Sequence, residues 1–163
     1  MASREVPRSG HARARSFAYL RITVGLLFLL FGEYKVFGTR FTLGGGFQSW
    51  ITQFIADGAY PFMKPFLQGF VLRHGTAIAF LVAYGEFAIG FALVLGLLVR
   101  TASICGLIYM LALLFSSNYP GPTAPFWQYF GASLNHLVLA FCFGAFALGG
   151  ATDALTILRK RAA

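Results

Sequence analysis

The sequence predicts an all-α integral membrane protein folded as a four-helix bundle, and three observations support this class. Apolar residue types make up 58% of the 163 residues and charged types only 11%, whereas soluble domains are about a quarter charged. Four apolar stretches each approach the ~20 residues that span a bilayer as a helix. The basic residues gather in the two tails, beside apolar stretches, as they do in the cytoplasmic flanks of membrane proteins.

These stretches divide the chain into spans, tails and connections. The four predicted helices cover residues 17–37, 76–99, 101–117 and 133–154. The predicted membrane domain covers residues 17–156 and includes outer connections at 38–75 and 118–132. Basic tails at 1–16 and 157–163 lie outside it.

The distribution of Lys and Arg predicts the orientation. With four spans, both basic tails and the turn at Arg100 lie on one side of the membrane. The positive-inside rule makes that side the cytoplasm. The net charge of +8 therefore indicates membrane flanks, and we expect lipid rather than nucleic acid as a partner.

Both outer connections have an unusual composition. Residues 38–75 are rich in aromatics and interrupted by Pro61 and Pro65, which predicts two short amphipathic helical segments lying in the membrane interface. Residues 118–132 combine three prolines with an aromatic cluster, as suits an interfacial cap. Together the two connections are expected to cover the outer end of the bundle.

Two charged residues lie inside the predicted spans at matching levels. Lys35 follows Arg21 by 14 residues, and Glu86 precedes Arg100 by 14. If both arginines mark the inner interface, each charge lies roughly 21 Å above it. A charge in hydrocarbon costs about 2.5–3.5 kcal/mol, so we expect Lys35 to pair with Glu86 in the outer half of the bundle.

Two interpretations of this pair stay open. It either fixes helix register as a structural ion pair or marks a small functional site, since ionisable groups within membranes often do. Glu33 either joins the pair or faces the outer surface. The candidates for proton handling are Glu86, Lys35 and His136, although packing alone also explains His136. The candidates for contact with a bound cofactor are Glu33, Tyr84, Asn135 and Trp127.

We expect the remaining notable residues to contribute to packing only. Cys105 and Cys142 both fall in apolar stretches without metal-ligand spacing, which predicts two buried thiols and no metal site. Tyr109 is expected to pack as an ordinary membrane aromatic. Small residues that allow close approach between helices are Gly25, Gly32, Gly90 and Gly96.

Three groups of residues resemble the DoxX-like family. The first helix contains LR-x3-G-x6-G-x2-K, with its members at Leu20, Arg21, Gly25, Gly32 and Lys35. The second contains E-x3-G-x2-L-x2-G-x3-R, with its members at Glu86, Gly90, Leu93, Gly96 and Arg100. The end of the chain contains FWQ-x6-N at 126–135 and ALGGATDAL at 147–155. The likeness covers residues 17–156.

The resemblance implies a four-helix protein of a bacterial or archaeal-type inner membrane, with redox partners. The family includes the membrane subunit of an archaeal thiosulfate:quinone oxidoreductase. The function it implies is a small membrane subunit or anchor of a larger redox or energy-transducing complex, bordering a quinone or a lipid. The alternative is a stand-alone quinone-linked oxidoreductase, whose electrons would come from outside a chain without flavin or haem motifs. A transporter is disfavoured, because four helices are few and no inverted repeat is visible.

Overall fold

The computed structural model describes residues 8–149, with side chains from residue 14 onward. This range holds eight α-helices and one π-helical turn, and no strand occurs in it. The helices are α1 (Arg8–Phe37), α2 (Thr39–Thr42), α3 (Gly46–Asp57), α4 (Met63–Phe66), α5 (Gly75–Leu95), α6 (Val99–Ser116), α7 (Gln128–Gly131) and α8 (Leu134–Gly149), with the π turn at Leu67–Val71.

Within residues 8–149, three helices are long and apolar enough to cross a membrane. They are Ala14–Phe37 within α1, α5 and α6. Helix α8 is also apolar but has 16 residues in the described range. The predicted fourth span continues to residue 154, and the predicted C-terminal tail follows it, so both extend beyond the described residues. Helix α1 begins at Arg8, so residues 8–16, predicted as part of a tail, are helical.

The long helices pack in consecutive pairs. Helix α1 lies along α5, α6 lies along α8, and α5 contacts α6, to which a short turn joins it. We call the end of the helices at this turn, residues 96–98, the hairpin end, and the opposite end the loop end. Gly96 closes α5 in the left-handed conformation, with φ 73°, which a glycine adopts without steric cost. Gly96 therefore caps the helix, and its predicted role in helix packing stays a prediction.

The other three small residues bring the backbones of α1 and α5 together. A Cβ on Gly90 would lie 2.7 Å from the backbone N of Leu29, and one on Gly32 would lie 2.8 Å from the backbone N of Phe87. A Cβ on Gly25 would lie 3.0 Å from the carbonyl oxygen of Gly90. Close approach at these three glycines confirms the prediction.

The connection between α1 and α5 is more structured than predicted. Instead of two segments, it forms α2, α3, α4 and the π turn. Its apolar side chains, including Phe41, Phe47 and Ile51, form a second buried cluster with Ala79 and Ala83 of α5. The extra elements arise because the segment packs against the loop-end half of α5 as well as facing outward.

The two connections join each other at the loop end. The backbone N of Tyr119 donates to the carbonyl oxygen of Gly58 at 2.6 Å, and that of Tyr60 donates to Phe115 at 3.0 Å. The Tyr60 hydroxyl donates to the carbonyl oxygen of Tyr129 at 3.0 Å. These bonds make the connections one covering layer, as expected from the sequence.

The two cysteines differ in environment. Cys142 is partly buried, but Cys105 is exposed. Cys105 lies on a face of α6 that also exposes Ile104 and Ile108, so this face points away from the other helices. The prediction of a buried thiol was therefore wrong for Cys105.

Candidate functional site: a buried ion pair between helices

Lys35 of α1 and Glu86 of α5 form an ion pair. The Lys35 Nζ donates to both carboxylate oxygens of Glu86 at 2.6 Å. The Glu86 side chain is 7% exposed and that of Lys35 is 18% exposed. The pairing predicted from sign and level is thus confirmed.

A third residue belongs to this site. The hydroxyl of Tyr109, on α6, donates to Glu86 Oε1 at 2.5 Å. The sequence-based assignment of Tyr109 to ordinary packing was therefore wrong. We refer to the three residues as the Lys35–Glu86–Tyr109 cluster; it connects α1, α5 and α6.

The helix bounds explain why Tyr109 was missed. Glu86 precedes Leu95, the end of α5, by nine residues, and Tyr109 follows Val99, the start of α6, by ten. At 1.5 Å per residue the two lie about 14 and 15 Å from the hairpin end. Counting the 96–98 turn as helix placed Glu86 too high. Glu86 therefore lies near the middle of α5, and the location of the site in the outer half of the bundle stays a prediction.

The antiparallel arrangement brings Lys35 to this level. Side chains tilt toward the N-terminus of their own helix. The N-terminus of α1 lies at the hairpin end and that of α5 at the loop end, so Lys35 and Glu86 tilt toward each other. On the loop side, the Lys35 Nζ lies 5.3 Å from the ring centroid of the buried Phe41. This distance permits a cation–π attraction.

Four other candidates point away from the cluster. Glu33 and Asn135 are exposed, and so are Tyr84 at 54% and Trp127 at 67%. Glu33 was expected either to join the ion pair or to face the outer surface, and its exposure shows that it does not join the pair. These residues make no hydrogen bond to Glu86 in the part of the chain that the structure describes. Their binding of a cofactor stays a prediction.

His136 lies in α8 without joining the cluster by a hydrogen bond. It is partly buried, and its Nδ1 has no hydrogen-bond partner among residues 8–149. No group of three His, Cys, Asp or Glu side chains within that range could hold a metal ion. A role for His136 in proton handling is therefore still a prediction.

Arg21 is enclosed to an unexpected degree. It was expected to mark the inner interface, but its side chain is only 1% exposed. The close contacts of Gly25 with Gly90 and Leu93 place Arg21, four residues earlier, near the hairpin end. The surrounding helices cover it there, and its marking of the inner interface stays a prediction.

The apolar helices and their buried charged cluster define a multi-pass membrane protein. A family model described as DoxX matches residues 16–118. Because the match covers more than half of the chain, the protein belongs to the DoxX family. The matched region runs from α1 to Asn118 and includes all three residues of the cluster, whereas the C-terminal likeness lies outside it. No curated protein and no solved structure matches the chain.

Proposed function

We propose that this DoxX-family protein is a small membrane subunit that anchors other subunits of a larger complex. We further propose that the Lys35–Glu86–Tyr109 cluster keeps its helices in one arrangement. The observation that carries the proposal is the complete pairing of the Glu86 carboxylate. Oε1 accepts from Lys35 and Tyr109, and Oε2 accepts from Lys35. A carboxylate bonded in this way is well suited to fixing three helices in one register.

The energetics support a structural role. Burying two charges costs several kcal/mol each, and their attraction repays this cost only when geometry and hydrogen bonding are good. Here the donor–acceptor distances are short, and a hydroxyl completes the carboxylate's bonding. Such pairs specify one arrangement of helices more than they add stability, and a defined arrangement is what an anchor must present to its partners.

The proposed topology has four spans and both termini in the cytoplasm. The three helices of sufficient length supply three spans. Helix α8 supplies the fourth if it continues past Gly149, as the sequence predicts. The positive charge of the tails and the turn at Arg100 favours the cytoplasm for that side. The redox character of the complex and its inner-membrane location rest on the family resemblance.

A second candidate is a quinone-linked oxidoreductase. Tyr109 favours it, because its hydroxyl extends the ion pair into a chain of three protonatable groups. In this function, Glu86 would carry protons to and from a quinone head group, and the electrons would come from another subunit. Both functions use the same cluster, so variants of the cluster distinguish them.

The test is extraction of the tagged protein from its native membrane in mild detergent, followed by native mass spectrometry and an absorbance spectrum. The variants are Tyr109→Phe and the double variant Lys35→Met with Glu86→Gln, and Glu33→Gln is the exposed control. We expect the wild type and all variants to retain the same additional subunits. A chain that purifies alone would overturn the anchor. A bound quinone whose reduction is lost in both cluster variants would establish the second candidate.

A further inference from the structure

A pocket of about 380 Å³ opens at the loop end of α1. Its walls are the side chains of Tyr34, Arg40, Phe41, Ser49 and Trp50, together with the glycine turn at 44–46. Phe41 is the ring that also covers Lys35. The pocket thus lies directly above the buried cluster, on its loop side.

The polar side chains of the pocket are hydrogen-bond donors without partners. They are the Arg40 guanidinium, the Tyr34 and Ser49 hydroxyls and the Trp50 indole N–H. None of these four makes a side-chain hydrogen bond or an ion pair within residues 8–149. No carboxylate lines the pocket. A pocket with several donors and a full positive charge suits an anion, and guanidinium groups suit phosphate oxygens in particular.

The pocket lies at the level where lipid headgroups occur. The apolar span Ala14–Phe37 ends three residues before Arg40. Tyr34 is 65% exposed, and Trp50 is exposed as well, as is typical of the aromatic belts at membrane interfaces. Within this turn the space beside Gly45 is open, since no atom beyond its chain neighbours lies within 4 Å of a Cβ placed there.

We propose that this pocket binds the phosphate of an anionic phospholipid. Arg40 pairs with the phosphate, and the Tyr34, Ser49 and Trp50 donors contact its oxygens or the remainder of the headgroup. The occupant is a lipid rather than a soluble anion because the pocket adjoins the apolar span, where the acyl chains can lie along α1. This site is independent of the proposed anchoring function.

The test measures lipid retention in nanodiscs containing equal parts of phosphatidylglycerol and phosphatidylcholine. Native mass spectrometry counts the lipids that stay bound after the disc is removed. We expect the wild type to retain phosphatidylglycerol preferentially, and Arg40→Ala to weaken this retention about fivefold, as loss of one interfacial cation predicts. Arg73→Ala is the matched control, since Arg73 is an exposed arginine outside the pocket, and it should retain lipid like the wild type.

A second variant and a competitor complete the experiment. Ser49→Asp places a carboxylate in the pocket and should also expel phosphatidylglycerol. It gives an independent reading if Arg40→Ala fails to fold, as judged by its circular dichroism. Equal losses in Arg40→Ala and Arg73→Ala, or equal retention of both lipids by the wild type, would overturn the proposal. So would displacement of the lipid by millimolar inorganic phosphate, because that result would indicate a site for the free anion.

Discussion

Helix α5 is held to α1 and helix α6 to α8 by two different kinds of contact. Between α1 and α5, glycines bring the backbones together around a buried ion pair. Between α6 and α8, the fully buried ring of Phe143 lies directly over Gly106. Lipid tails are as apolar as side chains, so helices in a membrane associate through packing and polar contacts. The first interface uses both backbone packing and a polar contact, and the second uses the packing of the Phe143 ring against Gly106.

This difference predicts unequal tolerance to substitution. A single change at the α1–α5 interface can leave a charge without its partner or force two backbones apart. A single change at the α6–α8 interface removes some contact but leaves no charge exposed to hydrocarbon. The first interface is therefore expected to be the more fragile. Of the four changes below, given in order of effect, the first three test that expectation.

The largest effect is expected for Glu86→Gln. The change leaves the Lys35 charge buried without a counter-ion, and breaking such a pair costs about 3–5 kcal/mol. The free energy of unfolding, measured in mixed detergent micelles, should fall accordingly. The control is Glu33→Gln, which removes an exposed carboxylate two residues before Lys35 in the sequence. It should change the free energy of unfolding by less than about 0.5 kcal/mol. Equal effects of the two variants would show that the buried ion pair does not stabilise the α1–α5 interface.

Gly90→Ala tests the backbone contact. The new methyl group would meet the Leu29 backbone at 2.7 Å, and overpacking of this kind costs about 1–3 kcal/mol. Gly85→Ala, on the same helix, places its methyl where no atom lies within 4 Å. Alanine favours a helix over glycine by about 1 kcal/mol, so Gly85→Ala should stabilise the protein slightly. Thermal unfolding in detergent should show opposite signs for the two variants, and a shared sign would contradict the account.

Phe143→Leu tests the ring contact at the other interface. Hydrophobic exchanges that keep most of the volume usually cost less than about 1.5 kcal/mol, so we expect a loss near 1 kcal/mol. Phe141→Leu changes a ring that is 70% exposed and should have almost no effect. If Phe143→Leu were as damaging as Glu86→Gln, the aromatic interface would be as fragile as the charged one.

The smallest effect is expected in the loop-end layer at alkaline pH. Burial raises the pKa of Tyr60 above its usual value of 10.0, and the neighbouring Tyr129 and Tyr119 add to the shift. The folded state therefore holds this proton more tightly than the unfolded state, so stability falls as pH rises from about 10 through the folded pKa. The stability advantage of the wild type over Tyr60→Phe should be present at pH 8 and disappear at strongly alkaline pH. An advantage that grows with pH would contradict this sign.

Much of the helical framework and the central ion pair could be predicted from the sequence. The length and hydropathy of the apolar stretches identified the helices, because a bilayer sets both. Opposite signs at similar levels identified Lys35 and Glu86, because a charge in hydrocarbon requires a partner. The backbone contacts of Gly25, Gly32 and Gly90 were also predicted, since small residues facing another helix allow close approach.

Tertiary packing determined what the sequence did not reveal. Tyr109 looks like any membrane aromatic, and only the true ends of α5 and α6 place it beside Glu86. The enclosure of Arg21 and the exposure of Cys105 depend on which helix faces are covered, and this follows from the pairing of helices. The elements of residues 38–75 depend on their contact with α5, which no local pattern in that connection indicates.

The most direct test of the central claim is a double-mutant cycle between Lys35→Met and Glu86→Gln. If the pair is a structural contact, each single variant loses stability, and the double variant recovers most of it because no unpaired charge remains. The account predicts a coupling free energy of about 2 kcal/mol or more between the two sites. Strictly additive losses, with the double variant the least stable of the three, would show that the ion pair does not hold α1 and α5 together.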